Sequence, residues 1–402
     1  MVVAQMKEQK DIQQVVREAQ ERYEVESAAN ASKEEIIGFF RSVSRERNDL
    51  HGFQDENDIL MRWDWSNLKN PEREDSVFPA WFCRAKKSKE IAGHFGVMPV
   101  SLNVKNRVYP AAWGTNMMTL AKWRNTGVAS LLFNTAMEGV REKAALFLLA
   151  GATNPIAFKI YQRLGFSNLG TIPKYVRVLK CTKVFKRLLK SDLLGGIAAF
   201  LCQPLLWIFY VPSWVVRRSS VRDIRMQEIS RFDLSFDALW DRVLTLFPIV
   251  VKRDSKSLNW RFVDQPHGTY KIFKAEDRES GELKGYVVLR EGESHGLRIG
   301  MVTDIFASPE DSKTVISLLD FVIRYFEDRK DIDLIQCGIL SKPFERILKK
   351  TGFRKLPAMF HGEFNFLVRT LNNALDREFV LDRDNWFLNY ADSDLDLSGK
   401  RS

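Results

Sequence analysis

The strongest constraint on the fold is that the two halves of the chain repeat one order of structural signals. Trp65-x5-Pro71 opens the series in the first half and Trp260-x5-Pro266 in the second. Strand-like runs follow. In the first half they are Glu90 to Val100 and Val108 to Ala121, separated by the turn residues Asn103 and Asn106. In the second they are Thr269 to Ala275, Gly285 to Arg290 and Leu297 to Ala307, punctuated by Gly281, Gly292 and Gly296. Apolar, β-branched and aromatic runs bounded by Gly and Asn predict strands joined by tight turns.

Each half then predicts a helix, a short apolar strand, a second helix and a Gly-Phe pair. These are Gly127 to Arg141, Ala145 to Ala150, Pro155 to Leu164 and Gly165-Phe166, then Ser312 to Asp328, Leu334 to Gly338, Pro343 to Lys350 and Gly352-Phe353. The glycines fall just past a helix, where a left-handed cap is needed. Antiparallel strands with helices inserted late define an α+β class, here twice: two mostly antiparallel mixed sheets flanked by helices. A length of 402 residues agrees, because single cores stop growing well below that size. The expected organisation is a polar, frayed helix over 1–22, a first domain over 23–180, a basic and apolar linker over 181–225, a second domain over 226–390 and an acidic tail over 391–402.

Chemistry concentrates in the first half. The run Met117 to Ala121 predicts a strand that passes through Lys122, Trp123 and Arg124 into a helix whose buried face is Val128, Leu131, Leu132 and Ala136. A helix start carries unpaired amides and the positive end of the dipole, which suit a phosphate. Gly127 lets backbone approach an anion, Ala129 keeps the next turn slim, and Lys122 and Arg124 add charge. Asn154 precedes Pro155 and suits an N-cap as well as a cofactor contact.

The segments Arg124-Asn125-Thr126-Gly127-Val128-Ala129 and Asn154-Pro155-Ile156-Ala157-Phe158-Lys159-Ile160-Tyr161-Gln162-Arg163-Leu164-Gly165-Phe166 resemble, in that order, the pyrophosphate loop and the Asn…Ala…Tyr…Gly-Phe segment of the GNAT acetyltransferase superfamily. The resemblance covers about residues 23 to 180, and the second half more loosely. It implies two GNAT-like domains joined by an apolar helical segment, and an acyl-CoA-dependent N-acyltransferase that needs no metal. Acetyl-CoA would be bound by Leu120, Ala121, Lys122, Arg124, Asn125, Thr126, Gly127, Val128, Ala129 and Asn154, with backbone amides near Thr119 to Ala121 at the oxyanion. An amine would attack directly while Tyr161 protonates the departing thiolate. Against this, Tyr161 also suits a packing role beside Ala157 and Leu164. No general base stands out; His51 and His94 qualify only as imidazoles. The paired layout also resembles bacterial acetyltransferases associated with surface polysaccharides, which suggests an amino-sugar acceptor. Two alternatives stay open: a peptidoglycan-type aminoacyl transferase with paired GNAT-like domains, and a non-catalytic acyl-CoA-binding or membrane-proximal scaffold.

At the matching place the second half reads Phe306-Ala307-Ser308-Pro309-Glu310-Asp311-Ser312, with neither glycine nor cation and with two carboxylates that repel pyrophosphate. Leu348 stands where Tyr161 does, and Ser341 where Asn154 does. This copy is expected to be catalytically silent.

From Leu193 to Val216 the chain carries no charge, while nine Lys or Arg residues against Asp192 and Asp223 lie between 180 and 225. That length suits a membrane span, but Gly195, Gly196, Pro204 and Pro212 interrupt it and both flanks are basic. A hairpin or interfacial anchor on anionic lipid, a span and a buried helix pair all remain open, the anchor favoured. The net charge of +10 is concentrated there, so a membrane surface is expected as partner and nucleic acid is not. Four scattered cysteines and the lack of a secretory signal point to the cytoplasm, peripherally at the inner face of the membrane. Asp392-Ser393-Asp394-Leu395-Asp396 is expected to be a solvated acidic tail.

Overall fold

The computed structural model describes residues 2–46, 55–73, 79–151, 155–220, 224–294, 296–329, 331–357 and 365–393. The regular elements through the first half are α1 (Val2–Arg22), β1 (Tyr23–Ser27), α2 (Lys33–Glu46), α3 (Glu56–Trp63), β2 (Ala80–Ala85), β3 (Ile91–Val104), β4 (Arg107–Thr119), α4 (Val128–Val140), β5 (Leu146–Ala150), α5 (Pro155–Arg163), β6 (Ser167–Thr171) and β7 (Lys174–Val178). Then come α6 (Cys181–Leu189), α7 (Asp192–Ser220), β8 (Ile224–Ile229), α8 (Leu234–Val243), β9 (Ile249–Val251), α9 (Ser255–Leu258), β10 (Lys271–Asp277), β11 (Leu283–Ser294), β12 (Leu297–Ala307), α10 (Ser312–Glu327), β13 (Leu334–Leu340), α11 (Lys342–Lys350), β14 (Arg354–Lys355), β15 (Asn365–Thr370), α12 (Arg377–Leu381) and β16 (Trp386–Asn389).

Two units emerge, and neither is a contiguous stretch. One comprises Met1–Thr171, Asp264–His267 and Gly362–Asn385, the other Ile172–Val263, Gly268–His361 and Trp386–Ser402. In the first, the strands run in the order β1-β2-β3-β4-β5-β15-β6, antiparallel except where β4 meets β5. In the second the order is β8-β10-β11-β12-β13-β7-β14, antiparallel except where β12 meets β13. Each sheet is thus a mixed sheet flanked by helices, the α+β architecture expected from the order of signals. The strand beside the parallel partner comes from the far half of the chain in both: β15 completes the first sheet and β7 the second.

The expected faces form as their spacing requires. Val128, Leu131, Leu132 and Ala136 on α4 are all buried, within a core that also takes Phe95, Phe147 and Phe166. The second half of α1 carries an apolar stripe: Ile12, Val16 and Ala19, spaced i, i+4 and i+7, bury against that core. Trp65 and Trp260 are also buried, each within a π-helical turn, Asp64–Leu68 and Asn259–Val263. The apolar segment is one helix, α7, of 29 residues.

Candidate functional site

Between β4 and α4 the chain makes a short 3-10 turn, Ala121–Trp123, and then two left-handed residues, Asn125 at φ 61° and Gly127 at φ 91°. A side chain at 127 would be strained by that φ, and its Cβ would lie 2.9 Å from Ala19 Cβ on α1. Gly127 is the N-cap of α4 and offers no side chain to the helix start. The first inward bond of the helix is donated by the Leu131 amide to Gly127 O, 2.9 Å. Among the described residues, none of the amides of Asn125 to Ser130 donates to a carbonyl or side chain. Asn125 is exposed and Gly127 half-buried, whereas Val128 and Ser130 are buried, so it is the start of this row, with the helix dipole behind it, that faces outward.

The turn is held from outside the row of amides. Thr126 Oγ1 donates to Trp123 O at 2.6 Å and accepts from Tyr23 Oη at 3.0 Å, while Arg22 Nη2 donates to Thr126 O at 2.9 Å. The Thr126 side chain is therefore committed to the turn. The two cations beside it are exposed and surface-paired: Lys122 Nζ with Glu90 at 2.7 Å, and Arg124 Nη2 with Glu46 at 3.3 Å. Such pairs contribute little and can be exchanged for a bound anion.

Strands β4 and β5 pair from Ala111/Leu146 only as far as Trp113/Leu148, although β4 runs on to Thr119. The register shift opposite His94 and Gly96, with Asn116 at φ 50°, bends β4 at that point. The end of β4 is thus left without a β5 partner, which is where an extended thioester arm could add its own hydrogen bonds. Two of the amides expected at an oxyanion are occupied. The Leu120 amide donates to Ala92 O at 3.1 Å, and the Ala121 amide donates to the Glu46 carboxylate at 2.8 and 3.1 Å. Glu46 was not visible as a site residue in the sequence. It lies 75 positions before Ala121, and only the packing of α2 against the sheet brings it there.

Tyr161 lies on α5 with its ring against Phe133 at 5.1 Å and Phe166 at 6.1 Å. The packing expected of it is present: the ring is half-buried, and among the described residues its hydroxyl has no hydrogen-bond partner. Burial pushes the phenol up to about 12. Asn154 and His51 lie outside the described residues. His94 does not have the character of a base. It sits in an aromatic cage of Phe40, Phe82 and Trp63, its Nδ1 donates to Asn116 O at 3.1 Å, and burial drives it down to about 4.

The matching place in the second unit is closed twice over. Helix α10 is capped by Asp311, whose carboxylate accepts from the Thr314 amide at 3.1 Å and Thr314 Oγ1 at 2.7 Å. Strands β12 and β13 part after Val302/Cys337, but there β16 pairs with the end of β13, and Asn389 Nδ2 donates to Asp304 at 2.6 Å. Leu348 is buried. Beneath β16, Arg253 is buried between Asp392, at 2.8 and 2.9 Å, and Asp304, at 3.3 Å. Asp392, expected in a solvated tail, is therefore an interior anchor. A buried guanidinium must find carboxylates, and the segment after β16 supplies one. The remaining acidic positions, 394 to 396, lie outside the described residues.

A bent β4 splayed from β5, followed by a glycine-capped helix start, defines the class of GNAT-fold proteins. Residues 48–169, about three tenths of the chain, match the family model described as an acetyltransferase (GNAT) domain. No curated protein matches the chain. Solved structures do, through fold: a GCN5-related N-acetyltransferase from Anabaena variabilis is 13% identical, covering 87% of this chain and 73% of its own, with a TM-score of 0.56. Saccharomyces cerevisiae N-myristoyltransferase with bound myristoyl-CoA is 13% identical, with coverages of 89% and 86% and a TM-score of 0.54. A GCN5-related N-acetyltransferase from Kribbella flavida is 13% identical, with coverages of 87% and 71% and a TM-score of 0.50.

Proposed function

We propose that the first unit is an acyl-CoA-dependent N-acyltransferase that transfers an acetyl group to a primary amine by direct attack in a ternary complex. The observation that carries this is the contrast between two helix starts. Helix α4 begins on an uncapped glycine with its amides free, whereas α10 is capped by Asp311. A diphosphate would take the free amides of 125 to 130 and draw Arg124 and Lys122 from their surface carboxylates. The pantetheine arm would lie along the unpaired end of β4. The thioester oxygen would then replace Glu46 on the Ala121 amide, and the released carboxylate stands where an ammonium acceptor must lose its proton.

Tyr161 acts on the leaving group. With the phenol near 12 and an ordinary thiol near 8.5, complete proton transfer to the thiolate is uphill, so Tyr161 serves mainly as a hydrogen-bond donor that stabilises the developing charge. The second unit serves as a degenerate, non-catalytic copy. The acceptor class we favour is an amino sugar, on the resemblance to surface-polysaccharide acetyltransferases. Calorimetry with acetyl-CoA and longer acyl-CoAs, followed by thiol release with a panel of amino sugars and other amines, tests the reading. Binding without turnover on any amine would refute catalysis, and absence of binding would refute the loop.

A further inference from the structure

Helix α7 is amphipathic in the reverse sense for a globular protein. Ala199, Gln203, Tyr210, Ser213 and Arg217 fall on one face at helical spacing, and that face is docked. Gln203 Oε1 accepts from the Cys181 amide at 2.9 Å and its Nε2 donates to Leu179 O at 3.2 Å. Tyr210 Oη donates to Val178 O at 3.3 Å with its ring under Arg177 at 3.6 Å, and Arg217 pairs with Asp320 at 2.9 Å. The opposite face is apolar and bare. Twelve of the 17 exposed large hydrophobic side chains among the described residues lie on α7, with Phe200 81% and Trp207 and Ile208 each 67% exposed. Water-facing patches of this kind mark an interaction surface.

The docked face also sets the orientation. Its polar contacts extend from 203 to 217, about 21 Å of helix axis. A span needs about 20 residues within hydrocarbon, and no such length of α7 is clear of contacts with the folded unit. The helix therefore runs along the surface of the unit, and what covers the apolar face must cover it lengthwise.

Charge selects the cover. Arg354 lies over Phe209 at 4.6 Å and Arg218 over Trp214 at 5.0 Å, which sets cations at the rim of the apolar face. Lys183 and Lys186 on α6 and Lys190 just beyond it add further cations, Lys183 paired with Asp333 and Lys186 with Asp192. Beside Trp214 opens a cleft of about 390 Å³ lined by Arg217, Arg218, Arg324, Asp320 and Glu327. Of these, Arg217 is buried against Asp320 at 2.9 Å, whereas Arg324, also paired with Asp320 at 2.8 Å, is exposed. Apolar face and an aromatic and cationic rim match the layers of an anionic lipid surface. We propose that α7 lies in the plane of an anionic membrane interface, with Phe200, Trp207 and Ile208 in the acyl boundary and the rim cations Arg218, Arg324 and Arg354 on lipid phosphate. The inference does not depend on the acyltransferase reading.

Full-length protein should float with vesicles of phosphatidylglycerol and phosphatidylcholine at least tenfold more tightly than with phosphatidylcholine alone. Phe200→Asp with Trp207→Asp should weaken that binding at least tenfold with an unchanged melting curve, because both side chains are exposed. No binding to anionic vesicles, or equal binding by the double variant, overturns the proposal. In a Cys202→Ala background, Ser191→Cys and Arg218→Cys should both react with an impermeant maleimide from the side of addition; protection of one end overturns the in-plane orientation. If lipid-free protein is a dimer that the double variant dissociates, the face belongs to a second copy and the membrane assignment fails.

Discussion

Replacing Leu367 in β15 should destabilise the first unit although the residue lies in the last tenth of the chain. Phe366, Leu367 and Val368 are each fully buried between β5 and β6. At about 1.5–3 kcal/mol per side chain they stabilise the first unit by roughly 5–9 kcal/mol, comparable with the 5–15 kcal/mol net stability of a whole domain. Leu367→Ala alone should cost about 2–5 kcal/mol, because a cavity is added to the lost transfer energy. Hydrogen exchange read by mass spectrometry should then accelerate about 30-fold or more in peptides covering 146–150 and 167–171, with little change across β10 to β12. A chain ending at residue 180, lacking β15, should show no cooperative melt. If the accelerated peptides instead fall in the second unit, or residues 1–180 melt cooperatively within a few degrees of the full-length first unit, the strand assignment is wrong.

Gly127→Glu should abolish measurable acetyl-CoA binding by calorimetry, and should do so equally in an Ala19→Gly background that relieves the contact with α1; recovery there would mean that packing, not the phosphate seat, was lost. Tyr161→Phe should lower kcat by about 10- to 100-fold while donor affinity stays within about twofold, since a hydrogen bond to a charged leaving group contributes about 1.5–3 kcal/mol; a matching loss of affinity would assign Tyr161 to packing. His94, held neutral down to about 4 in the folded state, protonates first in the unfolded chain as pH falls below 6.5. Stability should therefore be unaffected by His94 above that pH and fall by about 3 kcal/mol between pH 6.5 and 4, a slope that urea titrations of His94→Gln should lack.

Much of the first unit was legible because local chemistry dictates it. Residue spacing alone marks the buried face of α4, and a glycine at the start of a helix after an apolar strand fits a left-handed turn. The role of Glu46 was illegible, since nothing near it in sequence mentions Ala121. The fate of Asp392 was equally hidden: in sequence it begins an acidic run, and only Arg253, 139 residues earlier, gives it a reason to be buried. For α7 the composition left span, hairpin and buried pair open, and the docked stripe from Gln203 to Arg217 is what orients the helix.

The sequence by itself determined the repeated α+β order, the helix starts and which of them is capped by a carboxylate, because propensity and capping act within a few residues. Which sheet receives β7 and β15, and the insertion of β16 beside β13, were decided only by the tertiary structure. A strand's alternation says that it must be buried but not against which edge, and the partner is chosen by the long-range burial of side chains such as Leu367 and Trp386.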